Sequence, residues 1–187
     1  MKKRVYVKLY YYLNTEDYDN FFEIVDSRVA RTMIPIYIRE YYKLTALIKI
    51  NDVQKVTKQF NHLMKLNLRG NQLNSVLICG FNYYCYQEDD KKCKKILNEM
   101  KLLFDQRQYF KYERHFNIVM NKATKYIADI EKELDEHRGR KKAYLEYLLA
   151  KSYQSKNDQI KYNKYLRLSM EDYQVDESQF EEIIQVI

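Results

Sequence analysis

Apolar residues recur at helical spacing along this chain, in segments separated by short polar breaks. Asn14-Thr15-Glu16-Asp17 divides a stretch ending at Leu13 from one beginning at Asp17. Asn51-Asp52 separates segments over 36–50 and 53–66, and Glu88-Asp89-Asp90 separates 73–86 from 93–104. Asn157-Asp158 separates 142–155 from 160–170. Each break supplies side-chain oxygens that can accept the orphan N–H groups of the following helix and favour its positive end. The pattern therefore predicts helices in pairs. Between 106 and 138 the apolar residues Phe116, Ile118, Val119, Tyr126, Ile127, Ile130 and Leu134 keep helical spacing without a clear turn. That region reads as two short helices or one long bent one.

The breaks are themselves periodic. Asp17, Asp52 and Asp89 lie 35 and 37 positions apart, and Asp158 follows 69 further on, about two more units of the same length. Helical hairpins at such a period predict a solenoid, a stack in which each unit buries its apolar face on the next. At the C-terminus, Asp176-Glu177-Ser178-Gln179 has the form of a capping box. Phe180, Ile183, Ile184 and Ile187 follow at i, i+3, i+4 and i+7. This predicts an amphipathic helix over 176–187 that closes the stack, with a dimer contact as its other use.

Composition supports helices over sheets. The 187 residues include 3 Gly and 1 Pro, where average usage gives about 20, and sandwiches or barrels need many such turn residues. The longest apolar candidate, 73–86, is interrupted by Asn74, Ser75, Gly80 and Asn82, so no membrane insertion is expected. Lys8 interrupts the apolar stretch at the N-terminus, which also argues against a secretory leader. Cys79, Cys85 and Cys93 are odd in number and lack CxxC spacing, which points to reduced thiols and a cytoplasmic location.

Charge is uneven. The net value is +7, but the 17 residues from Glu171 carry six acids and no Lys or Arg, leaving +13 on the rest. A basic body with an acidic tail suggests an anionic partner or an intramolecular one.

Catalytic constellations are missing from the sequence pattern. His62, His115 and His137 stand far apart, and the three glycines are isolated, so there is neither a zinc-type His pair nor a phosphate loop. A Cys85–His115 pair is the one nucleophile–base combination a solenoid could assemble, and a Cys on an apolar helix face is ordinarily packing. No catalytic residue, cofactor or metal site is expected.

The residues resemble the tetratricopeptide repeat family. Leu149-Ala150-x-x-Tyr153 before Asn157-Asp158, then Tyr162, Leu166 and Ser169, is similar to the family's two-helix unit. Tyr12 with Glu16-Asp17-Tyr18-Asp19 is similar to the first-helix Tyr slot and the turn. Leu44, Leu47, Val56, Phe60 and Leu63 fill a second unit, and Phe81, Tyr84, Cys93, Leu97 and Met100 a third. No unit has Trp, and only Ala150 supplies the small residue at the helix crossing. The resemblance implies an all-α, right-handed α-solenoid in a single domain over 1–187. Its repeats would be roughly 2–34, 36–68, 72–105, 107–138 and 140–172.

In that family the first helices line a concave binding wall. Carried over, the inward positions are Tyr6, Tyr10, Tyr41, Thr45 and Lys49, then Ile78, Asn82, Tyr86, Tyr144, Tyr147 and Lys151. Tyr12, Tyr84 and Tyr153 fall on the packing side. Only Asn82 fits the family's carboxylate clamp, so a clamp is not expected. The resulting expectation is a non-enzymatic module holding a protein or peptide in a groove of tyrosine faces and lysine ammonium groups, regulated by the acidic C-terminal helix. The alternative is single-stranded RNA binding by the basic, aromatic surface. The cationic runs at Lys91-Lys92-x-Lys94-Lys95 and Arg138-x-Arg140-Lys141-Lys142 sit beside turns and read as solvated helix ends.

Overall fold

In a computed structural model the described residues, 2–176 with Gln179, Phe180 and Ile183, form eleven helices and no strand. They are α1 (Lys2–Asn14), α2 (Tyr18–Asp26), α3 (Arg28–Met33), α4 (Ile36–Ile50), α5 (Val53–Lys65), α6 (Asn71–Tyr86), α7 (Asp90–Leu103), α8 (Gln106–Val119), α9 (Ile127–Leu134), α10 (Arg140–Ser155) and α11 (Gln159–Tyr173). None of them is long and apolar enough to cross a membrane.

The four expected breaks share one atomic joint. Asp17, Asp52, Asp89 and Asp158 each accept the backbone N–H three residues on, capping α2, α5, α7 and α11. The residue before each, Glu16, Asn51, Glu88 or Asn157, stands in the left-handed region at φ 54–58°. That reversal returns the Asp amide to the carbonyl five residues back, on Tyr12, Leu47, Tyr84 and Tyr153 respectively. The outgoing helix is thus closed by a Schellman-type bond from the residue that caps the incoming one. Ser27 and Asp105 cap α3 and α8 in the same side-chain manner.

The chain divides into two compact units, Met1–Val76 and Leu77–Ile187. In the first, Val5, Leu9, Leu13, Phe21, Val25, Ala30, Ile34 and Ala46 form the core of α1–α4. Each of the large side chains contributes about 1.5–3 kcal/mol by leaving water. Tyr12 packs on this core while Tyr10 and Tyr11 stay exposed, as the roughly 100° between successive helical residues requires. Gln59 and Lys43 supply hydrogen bonds to the buried Glu40 carboxylate.

The second unit is organised around α10, buried without interruption from Ala143 to Ala150. Its partner α11 runs antiparallel. At one end Lys142 binds Asp172 at 2.7 Å and Ser169 donates to the Ala143 carbonyl at 2.7 Å. At the other end the Tyr153 and Tyr165 rings stack 3° from parallel, and both hydroxyls donate to Glu131 of α9. The region 106–138 resolves into α8 and α9, joined by a turn in which Lys122 takes φ 56°.

Beyond α11, the Asp176–Gln179 capping box is formed: the Gln179 amide donates to Asp176 Oδ1 at 3.0 Å, and the Asp176 amide to Gln179 Oε1 at 3.3 Å. Phe180 is buried edge-on against Tyr147 and packs on Tyr173. The rest of the expected 176–187 helix, apart from Ile183, lies outside the described residues.

Candidate functional site

Three of the predicted binding residues converge on one cleft of the second unit. Tyr147 and Lys151 lie four apart on α10 and so share a face, with Ala150 leaving space beside them. Tyr162, Leu166 and Met170 form the matching i, i+4, i+8 stripe of α11. Cys85, Tyr86 and Glu88 enter from the C-terminal end of α6, Val119 from the end of α8, and Phe180 closes the far side. The cleft encloses 270 Å³.

Its chemistry is that of an aromatic and aliphatic slot carrying one cation, Lys151, and one carboxylate, Glu88. The Lys151 ammonium lies 5.8 Å from the Tyr147 ring centroid. Burial, followed by the nearby Lys122 charge, holds it below the ordinary lysine range, with the Glu88 carboxylate acting in the opposite sense. Burial also raises the Tyr147 phenol, which therefore keeps its proton and remains a donor at neutral pH. Met170 and Leu166 are adaptable apolar surface, and Tyr86 and Tyr162 are half-buried. Such a slot can take an apolar side chain with an acidic group beside it.

The remaining predicted residues lie elsewhere. In the first unit, Tyr10 is 66% exposed, Tyr6 packs partly on the core, and the Tyr41 ring sits 5.7 Å from that of Tyr37. Thr45 donates to the Tyr41 carbonyl, and Lys49 lies 3.8 Å from Glu16. In the second unit, Ile78 is half-buried, and Asn82 is 3% exposed with no hydrogen-bond partner for its Nδ2. Tyr144 is buried, its hydroxyl 2.9 Å from His115 Nδ1 and its ring stacked on the imidazole. The Cys85 thiol, for its part, accepts from Cys93 at 3.4 Å.

Tyr162 and Leu166 were legible as α11 packing positions, but not as cleft lining, and Met170 as neither. The signal for their second use was the placement of Ala150: a small residue opposite larger ones leaves room. Of the two basic runs, Lys92 and Lys94 are held by Asp89 and Asp90 on α7, as solvated helix-end charges would be. Lys142 is occupied by Glu146 and Asp172.

Compared with protein-family models, with curated proteins and with solved structures, the chain matched none of the three.

Proposed function

We propose that this chain is a helical-repeat binding module, resembling the tetratricopeptide family, and that its second unit anchors a peptide segment of a protein partner. The carrying observation is the convergence of Tyr86, Tyr147 and Lys151 with Tyr162, Leu166 and Met170 on one cleft. The shared joint at Asp17, Asp52, Asp89 and Asp158 supports the repeat reading. The slot admits one apolar or aromatic anchor side chain, and Lys151 selects an acidic residue adjoining it. Tyrosine walls provide contact area at low cost in side-chain entropy.

A combinatorial peptide library selected on the intact protein tests this. The expected winners share an apolar residue with an acidic neighbour, and Lys151→Met weakens them by about tenfold, the loss of one charge-assisted contact. Tyr86→Ser, at a half-buried position, weakens them without unfolding the chain. Failure to enrich any motif, or winners indifferent to both substitutions, overturns the reading.

A further inference from the structure

A second cavity lies within the same unit, among α8, α9, α10 and the segment after α11. It encloses 440 Å³ and is lined by Lys111, Arg114, Arg140 and Lys141, by the single carboxylate of Glu133, and by Tyr144, Leu145, Tyr173 and Ile183. Four cations therefore face one acid, and that acid is already committed to Arg114. Like charges gathered on one open cavity repel one another, and an anion among them relieves that repulsion. At Lys111 that repulsion adds to a larger effect of desolvation. Partial desolvation, then Lys141 and Arg114, hold its ammonium below the ordinary range, although the residue keeps contact with solvent.

Two further features bear on what the cavity can hold. Arg114 is 6% exposed, and its Nε is buried with no hydrogen-bond partner while its two terminal nitrogens hold Glu133. Arg140 and Lys141 are the first residues of α10, a sixteen-residue helix that begins without a side-chain cap. The cap position is Gly139, at φ 56° and ψ −142°, a conformation that excludes the usual Asp or Ser. α10 thus begins, uncapped by a side chain, at residues that line the cavity, and its N-terminal end is the positive end of the helix.

We propose that this cavity binds a small phosphomonoester: the phosphate on Arg140, Lys141, Lys111 and the α10 N-terminus, and the organic body between Tyr144, Tyr173 and Leu145. A dianion with three terminal oxygens matches several donors where a monocarboxylate leaves most unused. The volume is that of a small-molecule site, about 300–1,000 Å³. The site lies apart from the peptide cleft and does not depend on it.

Titration calorimetry of the full chain with AMP, inorganic phosphate and adenosine, at about 50 mM salt, tests the assignment. AMP and phosphate should bind one to one, AMP more tightly, and adenosine should not bind. The Arg140→Gln/Lys141→Gln variant, altered at exposed positions, should keep the wild-type melting temperature and lose about tenfold in AMP affinity. Lys91→Gln/Lys95→Gln should bind AMP normally, and so should Lys151→Met, which separates this site from the cleft. No saturable binding up to about 10 mM ligand overturns the proposal, as does equal weakening by the two double variants or equal binding of adenosine and AMP.

Discussion

Arg114 of α8 grips Glu133 of α9 through two parallel hydrogen bonds, Nη1 to Oε1 at 2.5 Å and Nη2 to Oε2 at 3.1 Å. The residues are nineteen apart in sequence, and the fork fixes one helix against the next. Hydrogen bonding to Arg114 holds the Glu133 carboxyl below its usual range. A depressed carboxyl stabilises the fold above its ordinary pKa and loses that contribution as pH falls through the folded value. Glu133→Gln is expected to lower stability by about 1–2 kcal/mol at neutral pH, a figure discounted because the Glu133 side chain is 35% exposed. Arg114→Met/Glu133→Met should recover much of that loss in urea unfolding, because it removes the buried charge as well as its partner. A double variant weaker than Glu133→Gln would contradict this account.

The stacked His115–Tyr144 pair predicts a second acid sensitivity. Burial, then the Lys111 and Lys151 charges, push the His115 imidazole down to about 3. The folded state therefore holds it neutral while the unfolded chain protonates it near its ordinary value of about 6.5. The native state binds fewer protons, so this contribution is complete above about pH 6.5 and falls away below it. Between about pH 6.5 and 4.5 it amounts to about 2 kcal/mol of lost stability. The variant His115→Phe/Tyr144→Phe, which removes both members of the hydrogen bond, should show a shallower decline over that window. Parallel pH curves for variant and wild type would refute the assignment.

How much of this was legible in the sequence depends on how local the cause was. The segments 36–50 and 142–155 anticipated α4 and α10 closely, because the Asn-Asp break that ends each acts through a cap and a turn within six residues. The break at Ser27 is not encoded in the pattern, because a single Ser inside an apolar helical pattern becomes a cap only when the chain turns there. Nor is the turn at Lys122, a residue that is no turn former by preference. On α10, Tyr144 and Tyr147 are expected on a groove wall, yet both are buried, and so is Glu146 between them, 1% exposed and paired with Lys142. Arg140 and Lys141 read as solvated helix ends. The cavity they line is made by α8 and α9, whose meeting through Arg114 and Glu133 no local pattern encodes.

The cysteines should behave as packing. Cys85 and Cys93 are fully buried with their sulfurs 3.4 Å apart, and the neighbouring thiol together with burial pushes the Cys85 thiol up. Thiolate is the reactive form, so both should be nearly inert to an aromatic disulfide reagent in the native protein. All three thiols should titrate once the protein is unfolded in guanidinium. Rapid native modification of Cys85 or Cys93 would mean that the interior around α6 and α7 is open.

The four shared joints make opposite predictions at adjacent positions. Asp89 accepts the Lys92 amide at 3.0 Å, so Asp89→Ala removes a cap and should cost about 1 kcal/mol. One residue before the equivalent cap of α2, Glu16 holds φ 57°, a left-handed conformation that a residue with a Cβ occupies at a cost. Its contact with Lys49 is long and exposed and contributes little. Glu16→Gly should therefore stabilise the protein by about 1 kcal/mol, although glycine inside a helix ordinarily costs that much. Thermal unfolding of the two variants beside wild type reads both effects. Destabilisation by Glu16→Gly would show that the Glu16 side chain does more at this joint than tolerate its backbone.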